Sequence, residues 1–333
     1  MNWKTLSYLT IVAVVSGVLF SCYKSKNFSP NETAQIDSAI VTQSYDQVRV
    51  DAIIDEVFND VNKALSNQSA VTGAGVLVDT TLCNIQLLLD TTDNPHNISL
   101  NYVGYSCDQT HQLNGNVTIY FKAGTSWSSQ FDTIGVNINM LSAQGDAGTG
   151  DTNKIRLNGT FYIANTSGGS LSTLNAGSKP VVHAIVSPYL GVLYNSADTA
   201  TWQVSRVRTY TNNGSGIVIS TTAGTDTVGG TLNAIEWGGN RYGNSFILVV
   251  DTALTATAGC AYQISAGQTH VINPAGVTTM NFGLNAAGSA SGCPVTGSYY
   301  YFKFGWTGSG ASPYGSIRPY PLLLGPSYPV PEL

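Results

Sequence analysis

After residue 70 the chain repeats one pattern: short runs rich in Val, Ile, Thr and Tyr, separated by clusters of Gly, Asn, Asp and Pro. β-branched and aromatic residues are typical of strands, and the separating clusters, such as Asn114-Gly115, are typical of tight turns. Candidate strands follow one another from residue 82 to residue 304 without a helical pattern between them, which excludes parallel βαβ folds. The sequence therefore predicts an all-β domain of antiparallel, sandwich-like sheets over residues 71–310, with a possible division near residues 166–180.

One amphipathic helix precedes the β region. Apolar residues recur at helical spacing from Val50 to Leu65, and acidic residues occupy the other side. This pattern predicts a helix over residues 44–68, with Ser44 or Asp46 near its N-cap. We expect the acidic side chains to form a solvated surface rather than a metal or acid-base site. These side chains are Asp51, Asp55, Glu56 and Asp60.

The N-terminus has the form of an export signal. A short head containing Lys4 precedes an apolar stretch over residues 8–20, which is too short to span a bilayer permanently. The segment Leu19-Phe20-Ser21-Cys22 resembles the lipobox at which bacterial lipoproteins are cut and the cysteine is lipidated. An ordinary secretory peptide with an incidental Cys22 is the alternative. We expect a signal peptide over residues 1–21, a palmitate-type lipid anchor on Cys22 and a polar tether over residues 22–43.

Residues after the lipobox bear on the location of the protein. Tyr23 is not the aspartate that commonly retains lipoproteins at the inner membrane, so an outer-membrane location is favoured. Lys24 and Lys26 are basic, whereas the surface-export signal of Bacteroidota lipoproteins is acidic at this place in the chain. This difference favours the periplasmic face of the membrane over the cell surface. Only 10% of the residues are charged and the net charge is -5, so the chain lacks the basic footprint of a nucleic-acid partner.

Apart from Cys22 the chain contains four cysteines, an even number that predicts disulfides in an exported protein. Three connectivities exist, and short loop closure favours the two local pairs. A metal site is the competing interpretation of the cysteines. No two of them have the close spacing that zinc sites use, and the four histidines are scattered along the chain. The favoured pairs are Cys83 with Cys107 and Cys260 with Cys293.

Several segments of the β region carry a family resemblance. They are NISLNYVG at 97–104, NGNVTIYF at 114–121, LNGT at 157–160, WQVSRVRTY at 202–210 and NRYGNSF at 240–246. Together they resemble a group of uncharacterised lipoproteins from Bacteroidota, over about residues 80–300. The resemblance implies an all-β envelope protein and brings no assigned activity. In that group arginines usually precede the position of Gly115, and here they are replaced by Thr, His, Gln, Leu and Asn.

A recurring Asp-Ser/Thr motif points to the same bacteria. It resembles the three-residue acceptor pattern for O-glycosylation in that phylum, and the alternative is that Asp-Thr is common in turns of Thr-rich β proteins. The motif starts at Asp37, Asp79, Asp90, Asp132, Asp198, Asp226 and Asp251.

No catalytic motif is recognisable. The chain has no Gly-x-Ser-x-Gly elbow, no His-Glu-x-x-His and no phosphate-binding loop. Glu236 is the one glutamate between residue 71 and the tail, so a Glu pair for glycoside hydrolysis is missing, whereas an Asp-based pair stays open. Residues 146–153 offer oxygens that could wrap Ca²⁺ but too few of them, which favours a flexible loop. We expect no cofactor and no metal ion.

Two predicted strands carry candidate binding faces. Alternation places Trp202, Arg206, Arg208 and Tyr210 on one face of one strand, and arginine beside aromatic rings can grip a sugar or a carboxylate. In the strand near residue 300, the alternating positions hold a Tyr-Tyr-Lys stripe that could form a ligand platform. Cross-strand ladders that stiffen the sheet are the alternative for both. The stripe consists of Tyr299, Tyr301 and Lys303.

The prolines after residue 310 predict an extended tail over residues 311–333. As a whole, the sequence favours a binding or structural module of the cell envelope, with a glycan or an envelope protein as partner. An envelope hydrolase acting on glycan or peptide is the alternative. A binding module should present the candidate residues on an open face, whereas a hydrolase should gather Asp and His in one cleft with perturbed carboxylates.

Overall fold

The fold is that of a computed structural model, in which some segments of the chain are not described. The predicted signal peptide, Cys22 and the four other cysteines lie outside the described residues, as do Tyr299 and residues 146–153. The described residues are 30–66, 84–90, 97–105, 111–122, 127–145, 154–224, 227–257, 264–285, 287–291, 301–308 and 314–319.

Helix α1, Pro30–Ser66, is the helix that the apolar spacing predicts, and it is longer at its N-terminal end. Proline fits a first helical turn, since its missing N–H would have no partner there. The helix therefore includes residues 30–43, which the sequence analysis assigns to a tether. That part was missed because the apolar periodicity begins only near Val50. Nowhere in the described part of the chain is a helix long and apolar enough to cross a membrane.

In the part of the chain that the structure describes, fourteen strands follow α1, and they confirm the all-β prediction. They are β1 Ile85–Asp90, β2 Asn97–Tyr105, β3 His111–Phe121, β4 Asp132–Gly145, β5 Lys154–Asn165, β6 Val181–Tyr194, β7 Asp198–Asn212, β8 Ile217–Ala223, β9 Ala234–Gly239, β10 Ser245–Thr257, β11 Ile264–Asn273, β12 Gly276–Leu284, β13 Tyr301–Gly308 and β14 Tyr314–Pro319.

The strands form one antiparallel sheet in which nearly every strand pairs with the next along the chain. The order runs from β1 to β8 and continues from β10 to β14, while β9 pairs with both β7 and β10. Strands β5 and β6 pair directly across residues 166–180, so the chain is not divided there. Strand β14 lies within the predicted tail, pairs with β13 and ends at Pro319, as the proline rule for strand ends allows.

The sheet curves around α1, which takes the place of the second sheet of a sandwich. Tyr102 of β2, Phe161 of β5, Arg206 of β7 and Asn273 of β11 all contact the helix. Strands so far apart in the sheet can reach one helix only if the sheet bends. Register shifts in the pairings of β3–β4, β4–β5, β5–β6 and β6–β7 mark bulges, which increase twist and curvature.

The helix is buried on nearly all sides. Among residues 42–66, Lys63 alone is exposed. Val50, Ile53 and Val57 have no exposed surface, and Phe58 packs edge-on against Phe161 at 5.1 Å. Because strand side chains alternate, every second side chain along most of β2 and β5 packs in the core that includes α1, and the others face outward.

Candidate functional site

Strand β7 and helix α1 bring arginines and carboxylates together inside the fold. Arg206 Nη2 donates to Asp51 Oδ1 at 2.8 Å, and Arg206 Nη1 donates to Asp55 Oδ1 at 3.3 Å. Arg208 also pairs with Asp55, and Arg206 pairs with Glu236 of β9. Asp51 and Asp55 are four residues apart on α1, so both face β7. These five residues are called the buried ion cluster below.

Three members of the buried ion cluster, Asp55, Glu236 and Arg206, have shifted pKa values. Burial raises the pKa of Asp55, and the positive charges of Arg208 and Arg206 oppose that rise. It also raises the pKa of Glu236, and the charge of Asp51 adds to the rise. Burial would lower the pKa of Arg206, but the surrounding carboxylates, with Glu236 first, reverse the effect and raise it. Arg206 therefore stays charged.

The buried ion cluster has no room for a substrate. The cavity beside Asp51, Asp55, Arg206 and Arg208 encloses about 10 Å³, which is about the space that one water molecule needs. Perturbed carboxylates do meet here, as in a hydrolase, but each carboxylate of the cluster contacts an arginine, and the cavity beside them is too small for a ligand. This arrangement can hold α1 in one orientation, and we assign it that structural role.

Two expectations about this region are wrong. Trp202, Arg206, Arg208 and Tyr210 share one face as alternation predicts, but that face is buried rather than open. The acidic residues of α1 are not a solvated surface either, since Asp51 and Asp60 are buried. Both corrections have one cause, because the curved sheet encloses the helix and turns the arginines of β7 toward its carboxylates.

Further polar contacts fix α1 along its length. Asp46 accepts a hydrogen bond from Arg241 Nε at 2.7 Å, and Glu56 lies 2.9 Å from His111 Nε2. The hydroxyl of Tyr102 donates to Asp60 at 3.2 Å. The amide of Asn240 donates to Gln43 Oε1 at 3.0 Å. These partners come from strands and loops on several sides of the helix, so its rotation and its depth are both fixed.

His183 of β6 is a buried titratable group outside the ion cluster. Its ring lies 4.9 Å from the ring of Trp127 and 4.9 Å from that of Tyr210. Burial, and then the positive charge of Arg208, lowers the pKa of His183 to about 3. The imidazole is therefore neutral at physiological pH.

The convex side of the sheet presents aromatic and amide side chains to solvent. Tyr120, Tyr162 and Tyr189 are exposed on β3, β5 and β6. Pairing of the strands joins them to a row of hydroxyl and amide groups on the same surface. We call this surface the tyrosine face; it comprises Ser99, Thr118, Tyr120, Asn137, Thr160, Tyr162 and Tyr189.

The tyrosine face cannot be recognised in the sequence. Each of its residues stands in a strand with ordinary alternation, so the only signal is that Tyr, Thr and Asn occupy the outward positions. The register between paired strands decides which of these residues become neighbours, and this register cannot be read from the sequence. Of the Tyr-Tyr-Lys stripe, Lys303 is exposed, while Tyr299 and the side chain of Tyr301 lie outside the described residues. That platform stays a prediction.

Other surface features are less complete as sites. A shallow concavity of about 450 Å³ is lined by Trp237, Ile247 and Ile272 together with Asn273 and Pro274. On β10 and β11, Asp251 lies 2.8 Å from His270 Nδ1. Within the described ranges, no group of three His, Cys, Asp or Glu side chains is placed to hold a metal ion. Thr133, Thr199 and Thr252 of the Asp-Thr motifs are exposed, and their glycosylation stays a prediction.

Replacing Arg206 by Leu should destabilise the fold, because Asp51, Asp55 and Glu236 would lose the guanidinium that pairs with each of them while they stay inside the fold. We expect a loss of about 3–5 kcal/mol in the free energy of unfolding, measured by urea denaturation. Arg156→Leu is the control: Arg156 lies on β5 with its side chain partly exposed, and a change within about 0.5 kcal/mol is expected. Equal losses in the two variants would contradict a stabilising ion cluster.

Asp60 and His183 should give the stability opposite dependences on pH. Burial raises the pKa of Asp60 from 3.8 to about 6, so its contribution to the free energy of unfolding falls as pH rises from about 4 to 6. The lowered pKa of His183 makes its contribution fall as pH drops from about 6.5 to 3. Relative to the unmodified chain, Asp60→Asn should be more favourable at pH 7 than at pH 4.

His183→Phe should show the reverse, and be more favourable at pH 4 than at pH 7. Differences of about 1–3 kcal/mol between the two pH values are expected for each variant. Urea denaturation at both pH values measures them. Parallel pH profiles for the two variants and the unmodified chain would exclude these residues as the source of the pH dependence.

Comparison with known proteins gives no relative. No protein-family model, no curated protein and no solved structure matches the chain. The resemblance to lipoproteins of Bacteroidota therefore stays a prediction, and the side chains of the fold are the basis on which a function is inferred.

Proposed function

We propose that this chain is a binding module of the cell envelope, in which the helix-filled sheet is a rigid scaffold and the tyrosine face is the contact surface. The supporting observation is the grouping of exposed Tyr120, Tyr162 and Tyr189 with neutral amides and hydroxyls. Tyrosine combines a large apolar ring with a polar tip and contributes contact area with few rotatable bonds, which is why it is enriched where proteins meet ligands.

The filled interior of the fold supports the choice of the convex side as the contact surface. The curved sheet of a hollow protein could hold a ligand on its concave side, but here α1 and the buried ion cluster fill that side. Surface therefore remains for a partner on the convex side, where the described residues of β2 to β6 carry the tyrosine face.

An envelope hydrolase is the second candidate, and one observation favours it. His270 Nδ1 lies 2.8 Å from Asp251, as a general base lies beside the acid that orients it. A nucleophile within reach and an enclosed pocket are also needed for that chemistry. Neither of the two cavities described above includes His270, so the binding role is preferred.

The proposed location is the periplasmic face of the outer membrane, with a lipid on Cys22. Seven residues separate Cys22 from Pro30, the first residue of α1. Fully extended, the chain from Cys22 to Pro30 reaches at most about 29 Å. An anchored protein would therefore hold the start of its helix close to the bilayer.

Lipid anchoring is tested by Cys22→Ala. We expect the variant to lose the lipid mass and to move from the membrane fraction to the soluble fraction of the producing cells. Intact-mass analysis and fractionation measure the two effects. Ser21→Ala, which keeps a small residue before Cys22, is the control and should remain in the membrane fraction. Membrane retention of the Cys22→Ala variant would refute the anchor.

The binding role is tested with the full chain purified in detergent. We expect it to co-sediment with isolated envelope material and to show no turnover in a panel of glycan and peptide substrates. Thr160→Glu places a charge in the tyrosine face and should reduce co-sedimentation at least tenfold. Thr307→Glu, on the exposed surface of β13, should leave it unchanged. Turnover in the panel, or co-sedimentation that is unaffected by Thr160→Glu, would overturn the proposal.

A further inference from the structure

Two exposed tyrosines flank a glycine on the convex side of the sheet. Tyr120 of β3 pairs with Gly135 of β4, and Gly135 pairs with Tyr162 of β5. Adjacent strands are about 4.8 Å apart, so the two tyrosines leave the sheet about 9.6 Å from each other. Their exposed fractions are 45% and 47%. Because Gly135 has no side chain, the strip of sheet between the two tyrosine positions carries only backbone and the edge of the Tyr120 ring, and we call this strip the slot.

The backbone does not explain why residue 135 is glycine. Its φ lies outside the left-handed region, and the pairing shows no register shift at this position. A Cβ added to Gly135 would meet only Tyr120 Cβ at 3.8 Å and Tyr120 Cδ2 at 4.0 Å, which are ordinary contacts. By contrast, a Cβ on Gly115 or Gly159 would come within 2.7 or 2.6 Å of backbone atoms.

Glycine inside a strand weakens it, since the backbone loses more entropy on folding and there is no side chain to pack. Where no bulge, bend or close backbone approach requires it, such a glycine marks a place that a ligand approaches. The fold therefore tolerates a local cost at Gly135 that its own packing does not demand. A ligand that lies over Gly135 would supply the reason.

Chemistry beside the slot identifies the class of occupant. The neighbouring row consists of Ser99, Thr118, Asn137 and Thr160, and Asn137 Nδ2 donates to Thr160 Oγ1 at 3.0 Å. This bond holds both side chains in place, while the remaining amide and hydroxyl groups can bond to a ligand. No partner of the Tyr120 or Tyr162 hydroxyl is found among the described residues.

Neither row contains a charge, so a phosphate or carboxylate ligand would find no arginine or lysine to pair with inside the slot. A sugar ring matches both parts of the site. Its C–H faces meet the negative faces of aromatic rings, and its hydroxyls bond to amides and hydroxyls. Building on the proposed binding function, we propose that the slot between Tyr120 and Tyr162, over Gly135, binds a pyranose ring of an uncharged glycan.

Binding is measured with the full chain in detergent, by affinity electrophoresis in gels that contain dextran, mannan, laminarin or hydroxyethylcellulose, with alginate as the anionic comparison. We expect retardation by at least one neutral polysaccharide and none by alginate. Gly135→Val fills the slot and should weaken the retardation at least tenfold. Its melting temperature should stay the same or rise, because Val is a better strand residue than Gly.

Tyr162→Ala removes one wall and should weaken binding by a similar factor. Thr279→Val, on β12 and remote from the slot, is the matched control and should bind as the unmodified chain does. The glycan proposal fails if none of the four neutral polysaccharides retards the protein, or if Gly135→Val binds as well as Thr279→Val. Should Thr160→Glu abolish co-sedimentation with envelope material while Gly135→Val does not, the tyrosine face binds another kind of partner; the slot is then refuted and the binding role stands.

Discussion

Charge pairing between α1 and β7 is the constraint on which the rest of the fold depends. Asp51 and Asp55 stand on a helix that the sheet encloses, and an ionised carboxylate without a partner costs several kcal/mol in such a place. Arg206 and Arg208 supply the opposite charges from one strand face. Apolar packing alone would permit α1 to rotate or slide, but the ion pairs specify one position. The helix then fixes the curvature of the sheet, because strands from β2 to β11 must reach its surface.

The filled interior and the exposed tyrosine face are two aspects of one arrangement. Strand alternation sends every second side chain inward, and α1 uses these for packing and for charge pairing. The side chains that point away from α1 take no part in this packing or charge pairing, so their composition can be selected for contacts with another molecule. Tyr120, Tyr162 and Asn137 belong to this outward set, and so does Gly135, where a Cβ would meet only ordinary contacts with Tyr120. A rigid scaffold suits such a surface, since side chains that are already ordered lose little entropy on binding.

Local sequence patterns predict much of this fold but little of the site. Strand texture and turn residues predict the antiparallel series, and helical spacing predicts α1 from Val50 to Leu65, because both depend on near neighbours in the chain. Alternation even groups Arg206 with Arg208 correctly. Alternation does not predict whether that face of β7 points to the core or to solvent. That outcome depends on the enclosure of a helix that lies more than a hundred residues earlier in the chain. The slot over Gly135 is hidden for a related reason, since pairing register and bulges decide that Tyr120 and Tyr162 become its neighbours.

Enclosure of an N-terminal helix also constrains the order in which contacts form while the chain is synthesised. The helix is synthesised first, yet Arg206, Glu236 and Asn273, which contact it, are among the later parts of the chain. Asn273 follows its helix partner Gln43 by 230 residues. Until those strands exist, Gln43, Asp51 and Asp55 of α1 lack these partners. Contacts so distant in sequence slow folding, because a long loop must close before they form. Closure of the sheet around the helix is thus expected to be a late step, and one that a nascent chain cannot complete until most of it has been made.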